Sequence, residues 1–177
     1  MANFWYGHAV QHFVNGDIDY ASNTIKVALV SALYSAVQNT DEFFSVAVSS
    51  GIVSAGVTLG TKTNVLGLIN AANTTWASVT GSQVTQLVGY VAGGSPGTND
   101  YILFNLSSGT NLPVTPNGGN ITAAWDPTNG IGTLMKGLTQ KERGALGKLW
   151  DKVRWRPTPE GVLVPEFALS APTIIRG

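Results

Sequence analysis

Residues 57–64 read VTLGTKTN and residues 65–69 read VLGLI. The first stretch alternates apolar and polar residues, the period of a strand with one buried face. The second continues as a short apolar run that ends in turn-forming residues. Stretches of the same kind recur at 75–79, 83–91, 101–106, 120–125 and 132–135, and one precedes them at 24–30 (TIKVALV), rich in β-branched residues. Turn formers separate them at 70–73, Thr80-Gly81, 93–97 (GGSPG), 107–109 (SSG) and 116–119 (PNGG). Short strands punctuated this regularly predict a mainly β fold, a β-sandwich-like domain. No helix-length pattern lies between them, which argues against a parallel βαβ architecture.

Outside this block the helical period appears twice. In 4–14 (FWYGHAVQHFV) the residues Trp5, Ala9, Val10 and Phe13 fall at helical spacing, and Asn15-Gly16 supplies a stop. A short N-terminal helix is predicted there. Residues 40–48 (TDEFFSVAV) open with Thr40 or Asp41 as a cap for one or two helical turns, and Gly51 and Gly56 are expected to break the chain after them.

The composition changes near Leu134. Residues 1–134 carry two lysines against six carboxylates, a net charge of −4; residues 135–177 carry eight basic against four acidic residues, a net charge of +4. The break predicts a β-rich domain over 1–134 and a basic C-terminal arm over 135–177. In the arm, Thr139-Gln140-Lys141-Glu142 is a capping box opening a helix over 139–153. Its apolar face is Ala145, Leu146, Leu149, Trp150 and Val153, while Lys141, Lys148 and Lys152 take other faces. Gly144 and Gly147 each cost about 1 kcal/mol relative to Ala, so this helix needs something to pack on. Pro157 and Pro159 end it. An extended segment over 161–175 comes next, apolar in 161–169 (GVLVPEFAL), where Pro165 bars a central strand position. The predicted partner-binding surface is therefore Leu146, Leu149, Trp150 and Val153, the basic flank of Lys148, Lys152, Arg154, Trp155 and Arg156, and Val162, Val164 and Phe167 of the ribbon.

Hydrophobic residues make up 44% of the chain, enough for a real core, but charged residues only 11%, against roughly 25% in ordinary soluble domains. A subunit that covers its surface with partners needs less charge than a free monomer. There is no cysteine, which excludes disulfides and thiolate chemistry. No apolar run reaches membrane-spanning length, and the N-terminus lacks the pattern of a secretory signal.

Candidate chemistry is sparse. His8 and His12 lie four apart on the N-terminal helix, but no Glu follows His8 and no third ligand is evident for a catalytic metal. Gly93-Gly94-Ser95-Pro96-Gly97 matches the letters of a nucleophile elbow, yet Pro96-Gly97 opens a turn where a helix is required. Asp17 and Asp19 lack calcium-loop spacing. No catalytic residue, cofactor or metal is predicted. The basic stretch 136–156 interleaves Trp150 and Trp155, as a nucleic-acid surface can, but its charge is matched by the acidic first domain. A protein partner accounts for it without nucleic acid.

The N-terminal three quarters resemble a known family. Tyr6-Gly7-His8-Ala9, then 15–20 (NGDIDY), then 23–30 (NTIKVALV), with the acidic-aromatic segment 40–44 (TDEFF), are similar to a group of small structural proteins of tailed bacteriophage virions. Thr75-Trp76, 87–91, 121–126 and 130–134 resemble that group's later strands, and its members typically stop near the position of Leu134. The resemblance implies a virion structural role without enzymatic residues. The capsid-decoration (cement) position comes first, and a tail or head–tail component second. Partners would be other virion proteins and copies of the chain, and assembly would take place in the host bacterial cytoplasm. A glycan- or receptor-binding module is the reading from another class, for which Trp76 or Trp125 beside a polar groove would speak.

Overall fold

The computed structural model describes residues 3–65, 67–93, 100–133, 155–157 and 163–165. The chain divides into two compact units, Met1–Leu134 and Met135–Gly177. The first is mainly β, as the strand pattern predicts. In chain order it contains β1 (Phe4–Trp5), α1 (Gly7–Asn15), β2 (Ile25–Val30), α2 (Phe44–Ala47), β3 (Ile52–Thr58), β4 (Thr63–Val65) and β5 (Leu68–Asn70). It continues with β6 (Thr74–Trp76), β7 (Gln86–Val91), β8 (Ile102–Leu106), β9 (Ile121–Ala123) and β10 (Gly132–Thr133).

The main sheet is antiparallel with strand order β1-β8-β7-β2-β3. Its centre, β2 and β7, is almost wholly buried, because both faces are covered. Register puts Val27, Gly89, Phe104 and Trp5 opposite one another in adjacent strands, on one face. That face meets two smaller sheets, β6-β9 and β10-β5-β4: the Trp76 indole N–H of β6 donates to the Val27 carbonyl at 3.1 Å, and Trp5 lies against Gly132 of β10. The other face carries Val88, Asn105 and Gln86, and is covered by α1 and the segment 31–48. Gln86 donates to the carbonyls of Ser31 (3.2 Å) and Tyr34 (2.8 Å), Asn105 donates to Gln86 Oε1 at 2.6 Å, and Phe44 of α2 stacks on Tyr90 at 3.8 Å. Buried amides linked in this way fix one strand register and one placement of the overlying segment, while Asn105 Oδ1 is buried without a hydrogen-bond partner among the described residues.

Several local expectations are corrected. Phe4 and Trp5 are strand, paired with Asn105 and Phe104; their aromatic spacing imitated a helix, which starts only at Gly7, after the extended Tyr6. Within α1 only Ala9 is fully buried, and Val10 and Val14 face outward. Asp41 does not cap α2, whose N-cap is Phe43. Its carboxylate instead accepts from the Tyr34 hydroxyl (2.6 Å) and the Val37 amide (2.8 Å). The expected strand 57–64 is displaced: β3 runs through Gly56, and the chain turns between Leu59 and Lys62, with Thr61 at φ 44°. Gly56 is no breaker. A Cβ there would sit 2.4 Å from Tyr90 Oη, so glycine lets the tyrosine cross β3. The run 65–69 is likewise two strands, β4 and β5, joined through Gly67 at φ 78°.

In the second unit, β11 (Trp155–Pro157) pairs antiparallel with β12 (Leu163–Pro165), Arg156 opposite Val164. Both strands are edges, the only place a strand proline is tolerated. The strand at 155–157 was not expected. The helix predicted at 139–153 falls outside the described residues, as do Leu146, Leu149, Trp150, Val153, Lys148, Lys152, Arg154, Val162 and Phe167, and residues 94–99 with Ser95.

Candidate partner-binding cleft

A cleft of about 610 Å³ opens in the first unit where the main sheet meets β6-β9, a volume within the roughly 300–1,000 Å³ of typical ligand sites. Leu29, Leu87 and Leu106 line it from the main sheet, and Trp76, Ile121 and Trp125 from the β6-β9 side. The hydrophobic period explains the lining: Leu29 and Leu87 are cross-strand partners, as are Leu87 and Leu106, so all three project from one face.

Several polar groups around the cleft are engaged in holding the fold. Asn120 Oδ1 accepts from the Ser78 amide at 3.1 Å, and the Thr122 and Thr75 hydroxyls meet at 2.9 Å. Asn3 Oδ1 accepts from the amides of Ser107 and Ser108, both at 2.9 Å. The Trp125 indole N–H donates to Thr74 Oγ1 at 3.2 Å. Among the described residues, Asp126 is the one ionisable residue lining the cleft. It accepts from the Thr128 and Asn129 amides at 2.7 and 2.9 Å, and these bonds, Asn129's first, hold its carboxyl below the usual carboxylate range. The cleft therefore offers apolar surface beside a polar rim that carries the Asp126 carboxylate.

Of the two tryptophans singled out in the sequence, Trp76 is 1% exposed and belongs to the core. Trp125 is half-buried at the cleft.

A second cluster surrounds His12. Its Nδ1 lies 2.8 Å from Asp17 Oδ2 and its Nε2 lies 3.0 Å from Glu42 Oε1, while the ring stacks on Tyr101 at 3.8 Å. The ring thus joins the end of α1 to the segment before α2 and the head of β8. His8 is not part of the cluster. Asp19, the other acidic residue of that turn, accepts from the Ser22 hydroxyl (2.6 Å) and the Ala21 amide (2.9 Å), and the Ser22 bond leads in holding its carboxyl below the ordinary range. It is a turn-former. Among the described residues no group of three or more His, Cys, Asp or Glu is placed to hold a metal ion, and no helix is long and apolar enough to cross a membrane.

The cleft was not anticipated as a site. Its only sequence signal is the pair of tryptophans 49 positions apart, one on β6 and one just beyond β9, and nothing local shows that β6 and β9 pair. Of the expected arm surface, Trp155, Arg156 and Val164 fall on β11 and β12. No family model matches this chain, and no curated protein or solved structure matches it.

Proposed function

We propose that this protein is a non-enzymatic structural subunit of a tailed-phage particle, a capsid decoration protein that stabilises the shell through subunit–subunit contacts. The observation that carries the reading is the division of the chain into an acidic β unit with an apolar cleft and a basic, apolar-rich C-terminal unit. A molecule split this way neutralises its charge and covers its apolar surface by associating with other polypeptides. The commitment of the polar cleft residues to the fold supports the same reading, as does the resemblance to virion proteins. The partners are other virion proteins and further copies of the chain. Nucleic acid is not required, because the basic unit finds its counter-charge in protein.

A tail or head–tail position is the alternative within the same class. A glycan-binding module has one observation in its favour, the half-buried Trp125 beside polar side chains, and two against it: Trp76 is core, and several of the polar rim groups are already bonded within the fold.

Purified particles test the reading. Density for this fold, repeated with capsid symmetry, and heads that lose heat resistance when the gene is deleted are expected. Density confined to the tail transfers the role to the alternative, and absence from the particle refutes the proposal.

A further inference from the structure

We infer that the apolar cleft of one subunit receives the segment 161–169 of a second copy of the same chain. The inference rests on the structural-subunit reading and deepens it by naming the receiving surface and the donor.

Three observations lead there. First, the cleft offers apolar surface: its sheet-side lining is leucine, and several of its rim polar groups bond within the fold. Second, the chain leaves the first unit beside it. Gly130 and Ile131 line the cleft, and β10 ends at Thr133. Beyond Thr133, the longest largely apolar stretch is 161–169, GVLVPEFAL. Its central residues Leu163–Pro165 form a strand paired with Trp155–Pro157. Third, charge favours a like partner. The receiving unit is net −4 with Asp126 on the rim, and the segment is preceded by Lys152, Arg154 and Arg156 in an arm of net +4.

A second copy is within reach, and symmetry favours it over the chain's own arm. Twenty-eight residues separate Thr133 from Val162, a tether of at most roughly 90–100 Å when extended, ample to span to a neighbour. Each copy then supplies one arm and one cleft, and reciprocal exchange closes a symmetric ring or dimer without leaving either unfilled.

The test uses the full chain with a photo-crosslinking phenylalanine analogue at Ala124, an exposed residue lining the cleft. Chains labelled with ¹⁴N and ¹⁵N are mixed, exchanged and irradiated. The expected product joins position 124 to a peptide from 161–169, with mixed-isotope pairs as frequent as same-isotope pairs. Same-isotope products alone would mean that the arm folds onto its own cleft, and capture of another segment would mean the wrong occupant; both overturn the inference. In parallel, sedimentation of Ala124→Arg and of Val162→Asp with Phe167→Asp is expected to show self-association weakened at least tenfold, with unchanged circular dichroism. Val14→Asp, on the outer face of α1, leaves it as in the wild type. If the ribbon variant dissociates the protein and Ala124→Arg does not, the cleft assignment is wrong and the structural-subunit reading stands. If the wild type stays monomeric at high concentration but still binds particles, the self-partner is wrong and that reading again stands. A monomer that binds no particle removes both.

Discussion

The ring of Phe104 lies across the backbone of Gly89 on the adjacent strand. A Cβ at position 89 would stand 2.3 Å from ring carbons Cε1 and Cζ. The two residues are direct cross-strand partners, and the ring cannot retreat. Phe104 is 1% exposed and packs edge-on against Trp5 at 5.4 Å. Gly89→Ala therefore forces β7 and β8 apart in the centre of the sheet. Overpacking of a well-filled core costs about 1–3 kcal/mol, and that loss is expected in urea denaturation. Phe104→Leu in the Gly89→Ala background should recover part of it, since the shorter side chain vacates the space over position 89. Equal stability of Gly89→Ala and wild type would show that the sheet yields without cost.

A buried hydroxyl chain sets the alkaline limit. Tyr34 has one proton and gives it to Asp41 at 2.6 Å, so at the 2.7 Å contact Tyr6 donates to Tyr34. Burial pushes the Tyr6 phenol up to about 12 and raises those of Tyr20 and Tyr34 as well. For Tyr34 the hydrogen bond to Asp41 adds to burial in the same direction. An acid whose folded pKa lies above its unfolded value, here about 10, favours the folded state at full strength below the unfolded value. That advantage is lost as pH rises toward the folded value. Stability should accordingly hold to about pH 10 and fall through pH 12, with tyrosinate absorbance from these three residues appearing together with unfolding. Tyr6→Phe should be less stable at neutral pH by about 1 kcal/mol, one lost hydrogen bond, and should show a shallower alkaline decline. Ionisation of all the tyrosines near pH 10 in the folded protein would contradict the arrangement.

The sequence carried the β class, the positions of most strands and the helix ending at Asn15-Gly16, because these depend on period and on turn residues. It misled where tertiary contact overrides local pattern. Phe4 and Trp5 have helical spacing but are held as strand by β8. Gly56 looked like a breaker and is a clearance for Tyr90. Asp41 looked like a cap and is the acceptor for Tyr34. The cleft was not legible at all, since it depends on Trp76 and Trp125 being brought together by the pairing of Thr74 with Ala123 across 49 residues, and no local signal encodes a pairing at that distance. The pair His8 and His12 raised a metal question, when one member is instead a bridge between two carboxylates.

That bridge can be measured. His12 is 14% exposed, Glu42 32% and Asp17 45%, so the cluster is partly shielded. The two contacts differ in what they hold. Asp17 is five residues away and closes the end of α1. Glu42 is thirty residues away, its carbonyl accepts from the Ile102 amide at 2.8 Å, and its contact with His12 ties α1 to the edge of β8. A double-mutant cycle isolates the second contact, with His12→Phe retaining a ring to stack on Tyr101 and Glu42→Gln retaining size. Exposed ion pairs contribute about 0.2–1 kcal/mol, and the partial burial here places the expected coupling at the upper end, about 0.5–1 kcal/mol. Salt near 1 M should reduce it, because the carboxylates reach solvent. Additivity of the two single variants within about 0.3 kcal/mol would mean that stacking on Tyr101, and not the carboxylate, fixes the ring. In that case α1 should remain docked in Glu42→Gln, with amide exchange in Gly7–Asn15 unchanged. If the coupling is present, exchange in the last turn of α1 should rise selectively while the central strands β2 and β7 keep their protection, because the loss is confined to the seam that the imidazole closes.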